Sequence, residues 1–139
     1  MAQYYAQRAG AGLIIAEGAS PSPNGVGYCN MPALYTHEQV KEWRKITDAV
    51  HEKGGKIFLQ VMHTGRIGHI NNLPKRASLL APSPIAQSGE ITTDDFGKQN
   101  YSVSSEVSID EINNTIQEYI DNAKLSFDGV EIHCAHGYL

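Results

Sequence analysis

Three short apolar runs, separated by stretches of helical spacing, limit the architectures open to this chain. The runs are Leu13–Ala16, Ile57–Val61 with Gln60 as its one polar interruption, and Phe127–Ile132. Each is bounded by glycine or polar residues and reads as a strand buried on both faces. Between the first two, Thr36 and Gln39 fit a capping box. Val40, Trp43, Ile46, Thr47 and Val50 then recur at helical spacing, and Gly54-Gly55 supplies the stop. Ser108 and Glu111 open a second box, followed by a stripe of Ile109, Ile112, Ile116, Tyr119, Ile120 and Ala123. Met1 to Gly10 reads as a short helix with Tyr4, Tyr5 and Ala9 on one face. Gly18 to Tyr35 is a loop by composition. Met62 to Val107 is a long excursion, and such a length within a compact domain marks function or a small hairpin. Strands alternating with helices imply a parallel sheet with helices outside it. Both architectures of that kind, the open doubly wound sheet and the (β/α)8 barrel, carry their chemistry at the carboxyl ends of the strands.

Composition narrows the function. With 41% hydrophobic and 19% charged residues among 139, the chain is ordinary globular material rather than disordered. A net charge of -4 leaves no basic surplus for phosphates, so nucleic acid is not the expected partner. No apolar run approaches the roughly 18 residues of a membrane span. The first residues lack a signal-peptide core, which makes the cytoplasm the expected location. Cys29 and Cys134 are far apart and form no CxxC, so neither a disulfide framework nor a metal site is indicated. Trp43 reads as core and Cys134 as a small filler. His37, His51 and His69 read as exposed.

The strand ends hold the candidate chemistry. The first run ends in Glu17-Gly18-Ala19, the second passes Gln60 to His63, and the third ends in His133-Cys134-Ala135-His136-Gly137-Tyr138. Two neutral imidazoles, His133 and His136, can each donate an N–H to one carbonyl oxygen and stabilise charge developing there. The Tyr138 phenol can give a proton to carbon. No serine or cysteine sits in an elbow motif, so electrons must come from elsewhere, and a cofactor is the natural source.

These residues resemble the old yellow enzyme family of FMN-dependent ene-reductases. The matching stretches are YYAQRAGAGLIIAEGASPSPNGVGY, THEQVKEWRKITDAVHEKGGKIFLQVMHTGR, LAPSPI and FDGVEIHCAHGYL. The His-His form of the last stretch is similar to the oxophytodienoate-reductase-like and many bacterial members. The resemblance implies a (β/α)8 barrel, of which residues 1–139 would be a part truncated at both ends and contributing the second to fourth strands. It implies FMN as cofactor and NAD(P)H as electron donor. Gly18 would offer backbone to the flavin ring with Ala19 beside it, and Gln60 would bond the pyrimidine edge. His133 and His136 would hold the substrate carbonyl, His133 also lying near the flavin, and Tyr138 matches the proton donor. The substrate class implied is an enone or related activated alkene.

The chain also departs from the family. The stretch NAKLSFDGVE is shorter than usual and lacks the Ala-Gly pair before FDG, so the preceding helix loses its customary stop. Two other readings stand beside this one. In a metal-dependent hydrolase, His63, His133 and His136 would be ligands at a barrel mouth. In the other, the chain is a catalytically incomplete piece, since a complete (β/α)8 barrel takes about 250 residues.

Overall fold

A computed structural model describes residues 1–126 and the backbone of Ile132–Gly137. The elements run α1 (Ala2–Ala6), β1 (Ile14–Ala19), α2 (His37–His51), β2 (Ile57–His63), β3 (Leu80–Ala81), β4 (Glu90–Thr93), β5 (Gly97–Asn100), β6 (Ser105–Glu106), α3 (Ile109–Ser126) and β7 (Ile132–Gly137). The main sheet has the order β1-β2-β7, with both pairings parallel. The expected alternation of helix and parallel strand is therefore present.

Local chemistry explains α2. The Thr36 hydroxyl accepts the Gln39 N–H at 3.2 Å, and Gln39 Oε1 accepts the Thr36 N–H at 3.0 Å. Two of the otherwise orphaned N–H groups at the helix start are satisfied in this way. Val40, Trp43, Ile46, Thr47 and Val50 are buried as their spacing requires. Burial of each large apolar side chain among them contributes about 1.5–3 kcal/mol. The indole N–H of Trp43 donates to the Ala33 carbonyl at 3.1 Å, so the ring is buried with its polar atom paired. Gly54, at φ 76°, ends the helix where a side chain would be strained.

Four expectations fail, each for a physical reason. The first helix is only five residues long, and its tyrosines part company. Tyr5 is buried and its hydroxyl accepts the Glu17 N–H at 3.2 Å, while Tyr4 faces out beneath the Arg8 guanidinium, 3.6 Å from the ring centre. The β1 run is not buried on both faces. Ile14 and Ala16 are covered, but Leu13 and Ile15 are each 45% exposed, because the helices pack on one face only. The isoleucine stripe of α3 is not its docking face either. Ile109 is 72% and Ile116 54% exposed, and the buried residues are Thr115, Asn122 and Ser126. Two of these hydroxyls bond back to the helix, Thr115 to the Glu111 carbonyl and Ser126 to the Asn122 carbonyl. Asn122 donates to the Leu34 carbonyl. Hydroxyls whose bonds are satisfied within the helix can face inward at small cost. Finally, His69 is half-buried, its Nδ1 accepting the Asn71 N–H at 3.1 Å.

The third apolar run was expected over Phe127–Ile132, and all of it but Ile132 lies outside the described residues. The described strand continues through Gly137. An apolar-run criterion stops at the first polar residue, whereas a parallel ladder is held by backbone groups and continues past His133.

The excursion after β2 holds the hairpin β4–β5 and the small parallel pair β3–β6 that closes it. Asn72 fastens it to the loop after β1: its amide nitrogen donates to the carbonyls of Gly27 and Thr92, and its oxygen accepts the Asp94 N–H. The excursion thus starts at the carboxyl end of β2, over the rim where the strand-end residues converge.

Candidate active site at the carboxyl ends of the sheet

Side-chain alternation divides β2 into two faces. Ile57, Leu59, Val61 and His63 are buried, and Phe58, Gln60 and Met62 between them are only half-buried. On this second face, which no helix among the described residues covers, Gly18 lies beside Gln60, and along the backbone Gln60 pairs with Cys134 and Met62 with His136. The residues singled out at the first two strand ends are therefore neighbours, and β7 brings its histidines to the same end of the sheet.

Both pairings of β2 slip at one level. Opposite Leu59 the strand β1 carries an extra residue between Ile15 and Gly18, and β7 carries one, His133, between Ile132 and Cys134. Bulges re-aim the chain and concentrate at barrel rims and beside active sites. In an unbroken strand residues three apart fall on opposite faces; an extra residue resets that alternation. His133 and His136 were expected after the strand, and their backbone lies within it.

Gly18 has a steric reason. A Cβ there would lie 2.6 Å from Met62 Cε and 3.1 Å from Met62 Cβ, so the methionine crosses the strand only because glycine leaves room. Ala19 is fully buried and pairs with Val61. Among the described residues no group hydrogen-bonds the Gln60 side-chain amide. A half-exposed amide with unused donors and acceptor, next to a glycine backbone, is a suitable edge for the polar rim of a planar heterocycle.

His63 behaves differently. It is fully buried on the helix-side face, with Nδ1 accepting the Gly65 N–H at 3.0 Å. Burial lowers its pKa from 6.5 to about 4, so the ring is neutral at pH 7. A Cβ on Gly25 would stand 3.0 Å from its Cδ2, so the ring packs into the loop after β1. His63 is therefore set apart from Gln60 and Met62. Among the described residues no three His, Cys, Asp or Glu side chains gather as metal ligands. Tyr138 lies outside the described residues, and β7 places His133 and His136 by backbone alone.

Met62 was missed by the reading of strand ends. Its signal is the alternation Phe58, Gln60, Met62, which only matters once one face of the sheet is known to be uncovered.

A flavin family model covers this arrangement from end to end: the model described as NADH:flavin oxidoreductase / NADH oxidase family matches residues 1–139. The chain belongs to that family. It is 38% identical over its whole length to 12-oxophytodienoate reductase 7 of Oryza sativa subsp. japonica, of which it covers 37%. It is 35% identical, again over its whole length, to a probable flavin mononucleotide-dependent alkene reductase of Leishmania infantum, covering 40% of that protein. Among solved structures, the old yellow enzyme homologue from Zymomonas mobilis superimposes with a TM-score of 0.86 at 36% identity, over 98% of this chain and 37% of that one. The old yellow enzyme from Trypanosoma cruzi gives 0.82 at 38% identity, over 97% and 40%. The chain thus spans well under half the length of these old yellow enzyme relatives, and its fold is part of their (β/α)8 barrel.

Proposed function

We propose that this chain forms the carbonyl-binding and part of the flavin-binding portion of an FMN-dependent ene-reductase. The observation that carries the reading is the register of Gly18 with Gln60 on the helix-free face, with β7 and its two histidines alongside. The Gln60 amide, which has no hydrogen-bond partner among the described residues, suits a flat, hydrogen-bonding ring system. When bound, FMN takes reducing equivalents from NAD(P)H and supplies hydride to the β-carbon of an activated alkene. Gly18 and Ala19 would offer backbone to the ring, and Gln60 would bond its pyrimidine edge. His133 and His136 donate to the substrate carbonyl oxygen and hold the negative charge that builds there. His133 would also stand beside the flavin. Tyr138 protonates the α-carbon. Among the described residues no helix is long and apolar enough to cross a membrane, and the cytoplasm is the location we infer.

Titration of the purified protein with FMN, followed by anaerobic NADPH oxidation with cyclohexenone, tests this. Expected are saturable quenching of flavin fluorescence and enone-dependent oxidation. Tyr138→Phe lowers kcat, and alanine at both His133 and His136 raises KM. Absence of flavin binding overturns the reading.

A second reading rests on a separate observation. Among the described residues β1 and β7 each pair on one side only, and the Gln60 face carries no helix. Open edges and uncovered apolar surface favour association over a stable monomer. On this reading the 139-residue chain alone is inactive, retains FMN weakly and self-associates. Sharp thermal unfolding with one FMN bound per chain overturns it.

A further inference from the structure

His63 fills its space at an energetic cost that an apolar residue would avoid. The ring is fully buried and neutral at pH 7, with Nδ1 accepting the Gly65 N–H at 3.0 Å. That bond puts the ring proton on Nε2, which has no hydrogen-bond partner among the described residues. A buried donor left unpaired is destabilising. Leucine would fill much of the same volume without it, so apolar packing alone does not call for histidine here.

The ring stands at the seam between two loops of the rim. A Cβ on Gly25 would lie 3.0 Å from His63 Cδ2 and 3.3 Å from Cγ, and would also meet Ser20 Oγ. Gly25 therefore packs its backbone between the ring and Ser20. The next residue after the ring, Thr64, gives both its N–H and its hydroxyl to the Gly25 carbonyl, at 3.2 and 3.1 Å. From α3 the Tyr119 phenol bonds the His63 backbone. Ser20, fully buried, closes the loop after β1 on itself. Its N–H donates to the Pro32 carbonyl, its carbonyl accepts the Leu34 N–H, and its hydroxyl donates to the Ser22 carbonyl. Ser20 directly follows Gly18 and Ala19 in the chain. A continuous line of contacts thus runs from the His63 ring through Gly25 and Ser20 to the backbone of Gly18 and Ala19. We propose that His63 is a positioning residue: its ring and its Nδ1 acceptor clamp the loops after β1 and β2 together and so fix the Gly18–Ala19 backbone for a flat ring system. It lies on the opposite face of β2 from Gln60 and acts only through the loops. The identity of the ring system, FMN, rests on the ene-reductase reading above.

Amide hydrogen exchange of the whole chain, with FMN titration beside it, tests this. His63→Leu keeps bulk and removes the acceptor. Gly25→Ala drives the loop off the ring while His63 stays in place. His63→Asn restores an acceptor near the Nδ1 position. In the first two variants the amides of Ser20, Thr64 and Gly65 are expected to exchange roughly tenfold faster or more, while those of Leu59 and Val61 keep their protection. The FMN Kd rises by about tenfold, the worth of one hydrogen bond, and His63→Asn brings it back to within about threefold of the unaltered chain. Lost protection at Leu59 and Val61 marks a variant that has not folded, and the remaining variants then decide. Unchanged loop exchange in the folded variants, an unchanged FMN Kd once the loops have loosened, or an asparagine variant as damaged as the leucine one overturns the proposal. An unaltered chain that takes up no FMN overturns the ene-reductase reading instead, and loop exchange alone then decides whether His63 is the clamp.

Discussion

The two faces of β2 share one backbone and have opposite occupations. Ile57, Leu59, Val61 and His63 are buried against the helices and the loop after β1. Phe58, Gln60 and Met62, interleaved with them, stand half-exposed on a face that no helix among the described residues covers. The first face contributes stability through apolar burial. The second leaves an amide without a hydrogen-bond partner among the described residues and a glycine crowded by methionine, neither of which a chain selected only for stability would keep. Alternation within seven residues lets one strand serve as core and as site.

Substitutions on the two faces sharpen this contrast. Leu59→Ala removes a side chain that is 2% exposed, and loses about 2–5 kcal/mol in denaturant unfolding. A loss below 1 kcal/mol would show that the helix-side face is not the core. His63 gives the same face a pH signature. Its folded pKa is lowered from 6.5 to about 4, so between those values the unfolded chain binds a proton that the folded chain refuses. Stability is complete above pH 6.5 and declines as pH falls toward 4, by on the order of 3 kcal/mol in all. In His63→Gln the part of that slope due to His63 disappears, as equilibrium unfolding against pH will show. On the open face, Gln60→Leu weakens FMN binding by about tenfold, the worth of a hydrogen bond, and changes stability by under about 0.5 kcal/mol. Equal damage to folding and flavin binding would erase the distinction between the faces. Away from the sheet, Thr36→Ala removes the cap of α2 for about 1 kcal/mol. Ile116→Ser on the exposed stripe of α3 changes unfolding by less than about 0.5 kcal/mol.

The helices show where a sequence stops being legible. Both α2 and α3 open with a capping box written in residues three apart, Thr36–Gln39 and Ser108–Glu111, and both boxes form. In α2 the apolar stripe is also the buried face. In α3 it is not, because burial depends on what the neighbouring elements offer: Asn122 meets the Leu34 carbonyl there, while Thr115 and Ser126 bond within the helix. The candidate site divides in the same way. Gly18, Gln60, His133 and His136 stand out as polar or small residues ending apolar runs, because parallel sheets gather strand ends on one surface. Met62 and the paired bulges do not stand out, since they depend on which face is uncovered and how three strands slip against one another.

The order of helices and strands, their caps and the residue types at the strand ends were determined by the sequence itself, since each rests on spacing along the chain. Only the tertiary structure decided which face of each element is covered, which strand residues become neighbours, and that His63 is a neutral, buried ring rather than a group at the rim. Local chemistry sets φ and ψ within a few residues, whereas burial and register are properties of surfaces that meet from distant parts of the chain.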